Sequence, residues 1–283
     1  MSEVVSPAPE LDLRLLGREG LEALEDMARR VRAEGWPWLE VHLASLPRKF
    51  GRNTVFSGRA TGASAVIDAS RWRSCDVAAA VLLREAGEGP GEETGWLRRL
   101  YDQGDAEERR MILRSLPLLP ETEEAADLIE EAHRTNDEDI FAAGVLDSDL
   151  PARILPEEAW RRIVLKAAFL GIPLDRLPGY EQRGSAELSG MLLDFRTERQ
   201  AAGRKPWAWS LEVAALAPSP GVVECVLGDL WHGDALRRAV AARAAARLMA
   251  DDRIRTAVRL RLTHENLPAI RELLSRLPAP GAR

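Results

Sequence analysis

Charged side chains on otherwise apolar helical faces offer the clearest potential for chemistry in this sequence. A helix is predicted to begin near Ser185, a suitable N-cap, and to end at Gly203. Four apolar residues mark its inner face: Leu188, Met191, Leu192 and Phe195. At 100° per residue this face continues into Glu198 and Arg199, with Asp194 one turn before Glu198. The sequence therefore predicts charges on an inward stripe, where an unpaired charge costs several kcal/mol.

Two interpretations of this stripe remain open. Buried charges are usually paired, which favours an internal salt-bridge network that ties helices together. Charged groups also gather at functional sites, and the stripe would then form the polar floor of a ligand site. Lys166, on the preceding predicted helix, lies near the edge of the core and either reaches water or is paired.

A polar segment before residue 141 could form the rim of such a site. Thr135 or Asn136 can cap a helix, which explains Asn136 without any function; a binding role is the alternative. Three acids then place negative charge in the first turn: Asp137, Glu138 and Asp139. Their spacing fits no EF-hand loop, and no His or Cys stands at a metal-ligand interval, so no metal or other cofactor is predicted.

Two tryptophans, Trp207 and Trp209, flank Ala208 after the turn at residues 203–206. An indole buries a large area, so core packing is the commoner role for each. A concave wall at this position could instead stack a planar or prenyl ligand.

One predicted helix is more apolar than any other in the chain. Pro156 suits its first turn, and Gly171 ends it. Five residues form one broad apolar face: Trp160, Ile163, Val164, Ala167 and Ala168. Leu165 and Phe169 lie roughly opposite, so the helix is apolar nearly all round. Such a helix is expected to be buried among other helices.

Helical patterns recur along the whole chain with short links between them. The predicted ranges are about 19–34, 36–46, 74–87, 92–103, 105–116, 122–133, 208–216, 220–230, 234–249, 251–261 and 265–276. Antiparallel helical hairpins stacked side by side are how an α-solenoid buries its faces. No run alternates Val, Ile and Thr as a strand would. The predicted fold is all-α, an irregular α-solenoid of HEAT-like stacked hairpins.

The region 47–73 breaks the helical pattern and is predicted to be a surface loop. It contains Gly51, Gly58 and Gly62 with several basic side chains, but the residue order of a phosphate-binding P-loop is absent. Long loops are often functional, and this one could close over a groove.

Composition restricts the function and the compartment. The net charge of −6 argues against nucleic acid as the main partner, although residues 199–283 are basic. Cys75 and Cys225 are far apart and fit a reducing cytoplasm. The first 16 residues lack the features of a signal peptide, and no apolar run is long enough to span a bilayer. A cytoplasmic protein without membrane insertion is expected.

The expected organisation is one continuous domain with three regions. Residues 1–18 would form a flexible arm, and residues 19–215 a central helical region. Residues 216–283 would form C-terminal HEAT-like repeats packed on it.

Short motifs in the central region together resemble the EboA family. They include Arg134-Thr135-Asn136, Phe141-Ala142-Ala143, Val164-Leu165-Lys166-Ala167, Met191-Leu192, Asp194-Phe195, Glu198-Arg199 and Ala201-Ala202-Gly203-Arg204. The resemblance is good across about 130–210, weaker over 36–130 and poor beyond 215. It implies a cytosolic protein of metabolite traffic, encoded beside proteins that make or move a small metabolite. Those pathway proteins are candidate partners.

The sequence departs from the family pattern at several positions. Family members usually have Asn-Pro-Tyr-Pro where Asp147-Ser148-Asp149-Leu150-Pro151 stands, and Trp-Asn-Gln where Trp160-Arg161-Arg162 stands. These changes suggest a divergent member with a different ligand.

Two functional hypotheses follow. The preferred one is a small-molecule-binding or scaffold protein in the biosynthesis or trafficking of a specialised metabolite. Its ligand-binding residues would be Arg134, Asn136, Lys166, Phe169, Asp194, Glu198, Arg199, Trp207 and Trp209. The alternative is a metal-independent acid/base enzyme of a natural-product pathway, cyclase- or isomerase-like. Its catalytic groups would come from Glu198, Asp194, Asp139 and Lys166. Under both hypotheses Lys166, Asp194, Glu198 and Arg199 should converge on one concavity.

Overall fold

Helices dominate the computed structural model, which describes residues 13–54, 59–61, 66–88 and 95–277. The helices are α1 Gly17–Glu34, α2 Trp36–His42, α3 Leu46–Phe50, α4 Ser74–Glu88, α5 Trp96–Gln103, α6 Ala106–Ser115, α7 Glu123–Arg134, α8 Glu138–Val145, α9 Leu150–Ile154, α10 Glu157–Leu170, α11 Ala186–Ala201, α12 Ser210–Ala214, α13 Val222–Leu230, α14 Ala235–Arg247, α15 Asp252–His264 and α16 Pro268–Ser275. The predicted helical class is confirmed, whereas the HEAT-like solenoid stays a prediction.

In the part of the chain that the structure describes, no helix is long and apolar enough to cross a membrane.

The chain divides into two compact units. Unit 1 comprises residues 1–159 and 175–179, and unit 2 comprises residues 160–174 and 180–283. The three predicted regions have other bounds and stay predictions. Of the predicted N-terminal arm, residues 1–12 lie outside the described residues, and α1 begins at Gly17. The predicted start of a helix at residue 92 also lies outside them.

Unit 1 is built around α4, most of whose residues are buried. Helices α1, α3 and α6 pack against it, because a helix that is apolar on most sides needs neighbours on most sides. The start of α6 is capped as its sequence predicts. The Asp105 carboxylate accepts from the amides of Glu107 and Glu108, and the Glu108 carboxylate accepts from the Asp105 amide at 2.8 Å.

The region 47–73 is not a simple loop, and this prediction was wrong. It begins within α3 and contains two short antiparallel strands, β1 Arg59–Thr61 and β2 Val66–Asp68. Ala60 pairs with Ile67, which also forms a bridge to Ser148. Strands of three residues are too short for an alternating pattern to be visible in the sequence. Gly58 and Gly62 lie outside the described residues.

A buried carboxylate holds several segments of unit 1 together. Asp147 is 1 % exposed and has a φ of 66°, a left-handed conformation that is uncommon outside glycine. Three guanidinium groups bind its carboxylate: Arg71 at 3.4 Å, Arg114 at 3.2 Å and Arg176 at 2.8 Å. Its carbonyl accepts from the Asp68 amide at 2.6 Å, which attaches it to β2. The ion cluster therefore joins α6, the β2 region and residues 175–179.

Unit 2 has a core made largely of alanine, valine and leucine. Its helix α14 contributes five consecutive or near-consecutive small residues: Val240, Ala241, Ala242, Ala244 and Ala245. Small side chains let neighbouring helices approach closely, and α12, α13 and α16 pack on α14. Asp234 caps α14 by accepting from the Leu236 amide at 2.8 Å.

Near the C-terminus, Glu265 is a second buried carboxylate with several donors. It is 1 % exposed and accepts from Arg238 at 2.9 Å, from Arg261 at 2.6 Å and from the Leu267 amide at 3.1 Å. Burial by itself raises the pKa of this carboxyl, but the hydrogen bonds and the charge of Arg261 outweigh it and lower the pKa to about 2. Glu265 thus links α14, α15 and the start of α16.

We expect Asp147→Asn to lower the free energy of unfolding by about 3–5 kcal/mol, because it leaves three guanidinium groups without their shared anion. Asparagine tolerates the left-handed backbone, so the loss reports the charge. Urea unfolding followed by circular dichroism measures it. Asp127→Asn, at an exposed position of α7, is the control and should change little. Equal midpoints for the two variants would contradict the prediction.

The lowered pKa of Glu265 predicts a pH-dependent stability. The pKa of Glu265 is about 2 in the folded protein and about 4.3 in the unfolded chain, so its ionised carboxylate stabilises the fold at pH values above about 4.3. This contribution is lost as the pH falls from about 4 to about 2. The stability difference between the wild type and Glu265→Gln should therefore shrink over this window in urea titrations. For the control Glu272→Gln, at an exposed carboxylate of α16, the difference should stay nearly constant. A constant difference for Glu265→Gln would reject the role of its charge.

Candidate functional site

An open groove lies between helices α10 and α11 in unit 2. Its volume is about 550 Å³. Seven residues line it: Leu165, Lys166, Phe169, Met191, Asp194, Phe195 and Glu198. All of them belong to one unit of the fold, so the groove is a property of that unit alone.

The two helices that form the groove run in the same direction. Arg161, near the start of α10, pairs with Glu187, near the start of α11, at 3.2 Å. Beyond their ends, the Trp207 indole N–H donates to the Ile172 carbonyl at 2.7 Å. The predicted antiparallel packing therefore does not hold for this pair. Antiparallel neighbours follow from short links, and here the connection spans residues 171–185.

Helix α10 presents two apolar sides, and only one of them is covered. Ile163 and Val164 are fully buried. Phe169 is 64 % exposed and Leu170 is 39 % exposed, so the prediction that the helix is buried all round was wrong. The uncovered side is the one that carries Leu165, Lys166 and Phe169 into the groove.

The charged residue that helix α11 buries is not one of those predicted. Its buried face is Leu188, Leu192 and Arg196, each one turn after the last. Arg196 binds the buried carboxylate of Asp229 at 2.7 Å, and Arg237 binds the same carboxylate. An internal ion cluster is therefore present, but it is not the predicted one, because it uses Arg196, Asp229 and Arg237, which sequence reasoning missed. The i, i+4 spacing from Leu188 was the signal that could have found Arg196.

The predicted inward charges lie instead at the groove. Asp194 and Glu198 are exposed, one turn apart on α11, and both line the cavity. The expectation that they are buried was wrong, because the buried face of α11 is centred on Leu192 rather than on Phe195. Arg199 is not among the lining residues. Its guanidinium lies 5.7 Å from the Phe195 ring, and its Nε donates to the Lys205 carbonyl at 3.2 Å.

Lys166 lines the groove from α10, whereas the two carboxylates line it from α11, and its side chain is half-buried. Burial lowers the pKa of its ammonium group, because the charged form loses hydration. Three of the four residues that were predicted to converge, namely Lys166, Asp194 and Glu198, therefore line one concavity.

The predicted aromatic wall does not line the groove. Trp207 is buried, and its ring centroid is 6.0 Å from that of Trp209. Trp209 packs against the hydrophobic core of unit 2. Both indoles are thus placed as core side chains, the commoner of the two roles that the sequence allowed.

The remaining predicted residues belong to unit 1 and do not line the groove. Arg134 is exposed and pairs with Glu130 at 2.7 Å. Asn136 is exposed, and the N-cap of α8 is Asp137 rather than Thr135 or Asn136. Asp139 is exposed, 3.8 Å from Arg73. Within the described residues, no group of three or more His, Cys, Asp or Glu side chains could hold a metal ion.

The groove thus combines an apolar surface with one amine and two carboxylates. Leu165, Met191 and Phe195 belong to its lining, although the sequence offered no reason to assign them to a site rather than to the core. Such a surface can bind a small amphiphilic molecule and orient its polar groups.

Comparison with known proteins gives one family. The family described as metabolite traffic protein EboA matches residues 59–211, a range that includes every residue lining the groove. No curated protein and no solved structure matches the chain.

We expect Phe169→Ser to change the free energy of unfolding by no more than about 0.5 kcal/mol, because the Phe169 ring is already mostly exposed. Ile163→Ala, on the covered side of the same helix, should cost about 2–5 kcal/mol. Urea unfolding of both variants measures the difference. A large loss for Phe169→Ser would mean that this ring supports the fold rather than a ligand.

Proposed function

Because the chain belongs to the EboA family of metabolite traffic proteins, we propose that it binds a small-molecule metabolite in the groove between α10 and α11. Binding is its role in the traffic or biosynthesis of a specialised metabolite. The observation that carries the proposal is the uncovered apolar surface of the groove, led by Phe169 at 64 % exposed.

That surface gives a ligand a clear source of binding free energy. Burial of apolar area contributes about 25 cal/mol per Å². Phe169 lines the groove from α10 and Met191 from α11, and together they offer a contact for an apolar ligand body. The volume of about 550 Å³ lies within the usual range for small-molecule pockets, about 300–1,000 Å³.

The charged lining residues set the orientation of the ligand. Lys166 stands on α10, and Asp194 and Glu198 stand on α11, so the two walls carry opposite charge. A ligand with one polar group near these side chains binds in one direction along the apolar surface.

We favour a binding protein over the acid/base enzyme. An enzyme that turns over its substrate gains rate when water is excluded from its site, whereas this groove is open to solvent. Asp139, a further candidate for catalysis, lies in the other unit.

We place the protein in the cytoplasm, with a small metabolite and other pathway proteins as partners, and we retain HEAT-like stacking of its hairpins as part of the proposal.

The apolar surface can be tested with N-phenyl-1-naphthylamine, a neutral probe whose fluorescence rises in apolar sites. We expect the wild type to bind it and the double variant Phe169→Ser/Met191→Ser to bind about tenfold more weakly or worse. Loss of about 1.4 kcal/mol of apolar contact is enough for that change. Leu260→Ser, at a leucine of α15 that is 52 % exposed, is the matched control and should bind as the wild type does.

The wild type and the double variant Phe169→Ser/Met191→Ser also serve to identify the natural ligand. Small molecules extracted from the purified wild type and from the double variant are compared by mass spectrometry. A compound that accompanies only the wild type is the expected result. Equal probe affinity in the wild type and the double variant would remove the groove as the binding site.

A further inference from the structure

We propose that Lys166 captures an aldehyde or ketone group of the bound metabolite as a reversible imine. This inference rests on the proposed binding groove and names the chemical class of its ligand, an apolar molecule with a reactive carbonyl. The geometry behind it is an amine that lines the groove on α10, with Asp194 and Glu198 on the opposite wall.

The identity of this residue stands out against the rest of the chain. Only three of the 39 Lys and Arg residues are lysines: Lys49, Lys166 and Lys205. Arginine forms the ion pairs that organise the fold, including those with Asp147, Asp229 and Glu265. A guanidinium stays charged in proteins and cannot act as a neutral amine, whereas lysine can. A lysine in the groove therefore offers a chemistry that arginine cannot.

The burial of Lys166 beside apolar residues favours its neutral amine. Its neighbours in the lining include Leu165 and Phe169, and its side chain is half-buried beside them. Burial lowers its pKa, so a larger fraction of this amine is uncharged near neutral pH than for an ordinary lysine. The uncharged amine is the nucleophile that attacks a carbonyl carbon.

The two carboxyl groups on α11 can move the protons that the reaction needs. The Lys166 nitrogen adds to the carbonyl carbon and gives a carbinolamine. The carbon–oxygen bond of the carbinolamine then breaks: the carboxyl group of Asp194 or Glu198 gives a proton to the leaving hydroxyl, which departs as water, and the nitrogen keeps its own proton as an iminium ion. That N–H proton passes back to the same carboxylate, which leaves the neutral imine. The products are one imine and one water molecule, so no oxidant or reductant takes part. Addition of water reverses the sequence and releases the carbonyl compound.

Reversible capture suits a protein that carries a reactive metabolite. The apolar contacts with Phe169 and Met191 hold the body of the molecule, and the imine masks its electrophilic carbon. Hydrolysis in the open groove returns the free aldehyde or ketone.

The test uses cinnamaldehyde, an apolar aromatic aldehyde, with sodium cyanoborohydride to reduce any imine to a stable amine. Peptide mapping by mass spectrometry then gives the labelling rate at each lysine of the full chain. Lys49 and Lys205 are both exposed and serve as controls inside the same molecule. We expect Lys166 to be labelled about tenfold faster or more, because the groove holds the carbonyl next to its amine. Labelling at Lys166 no faster than at both controls would overturn the proposal.

Variants separate the imine from the groove itself. Lys166→Arg keeps the positive charge and should lose the labelled site. Asp194→Asn/Glu198→Gln should slow labelling at Lys166 and leave Lys49 and Lys205 unchanged, whereas Glu272→Gln, at an exposed carboxylate of α16 outside the lining, should have no effect. Probe binding without selective labelling in the wild type would refute the imine and leave the groove. If the wild type shows neither probe binding nor selective labelling, the groove is refuted as the binding site as well.

Discussion

Helix α10 is apolar on more sides than the fold covers, and the groove lies along its uncovered side. Ile163, Val164, Ala167 and Ala168 are buried, as the hydrophobic effect requires of the side that meets the core. Leu165 and Phe169 project from the other side, where α11 runs in the same direction and leaves open space between the two helices. An apolar side chain kept in water loses the free energy that burial would give, and a ligand that covers it recovers that free energy.

Buried carboxylates with more than one arginine stabilise both units. Asp147 has three guanidinium partners in unit 1, and Asp229 and Glu265 each have two in unit 2. Removing a carboxylate from water is costly, so each one is offset by several charge-assisted hydrogen bonds. Arginine suits this role because its planar fork stays charged and donates in fixed directions. The structural cations are therefore arginines, and the groove contains one of the few lysines.

Membership of the EboA family and the geometry of the groove support the same function. The match covers residues 59–211, and α10 and the lining part of α11 lie within it. In the function that we propose, the apolar surface gives affinity, and the opposite charges of the amine and the two carboxylates give orientation. The amine of lowered pKa would hold a carbonyl compound covalently. These three features need only seven side chains on two helices, and the rest of unit 2 keeps those helices in place.

The sequence by itself determined the helices, the Ser185 cap of α11, the family and the acid and lysine residues that meet in the groove. Helical periodicity and capping are local, so the cap of α11 and the limits of α10 could be predicted from short windows. Only the tertiary structure decided which side of a helix is buried. Arg196 rather than Glu198 turns inward on α11 and pairs with Asp229. A short window of sequence could not show this, because Asp229 lies far along the chain. The strand pair β1–β2 and the left-handed Asp147 likewise depend on contacts between distant segments, which no local pattern encodes.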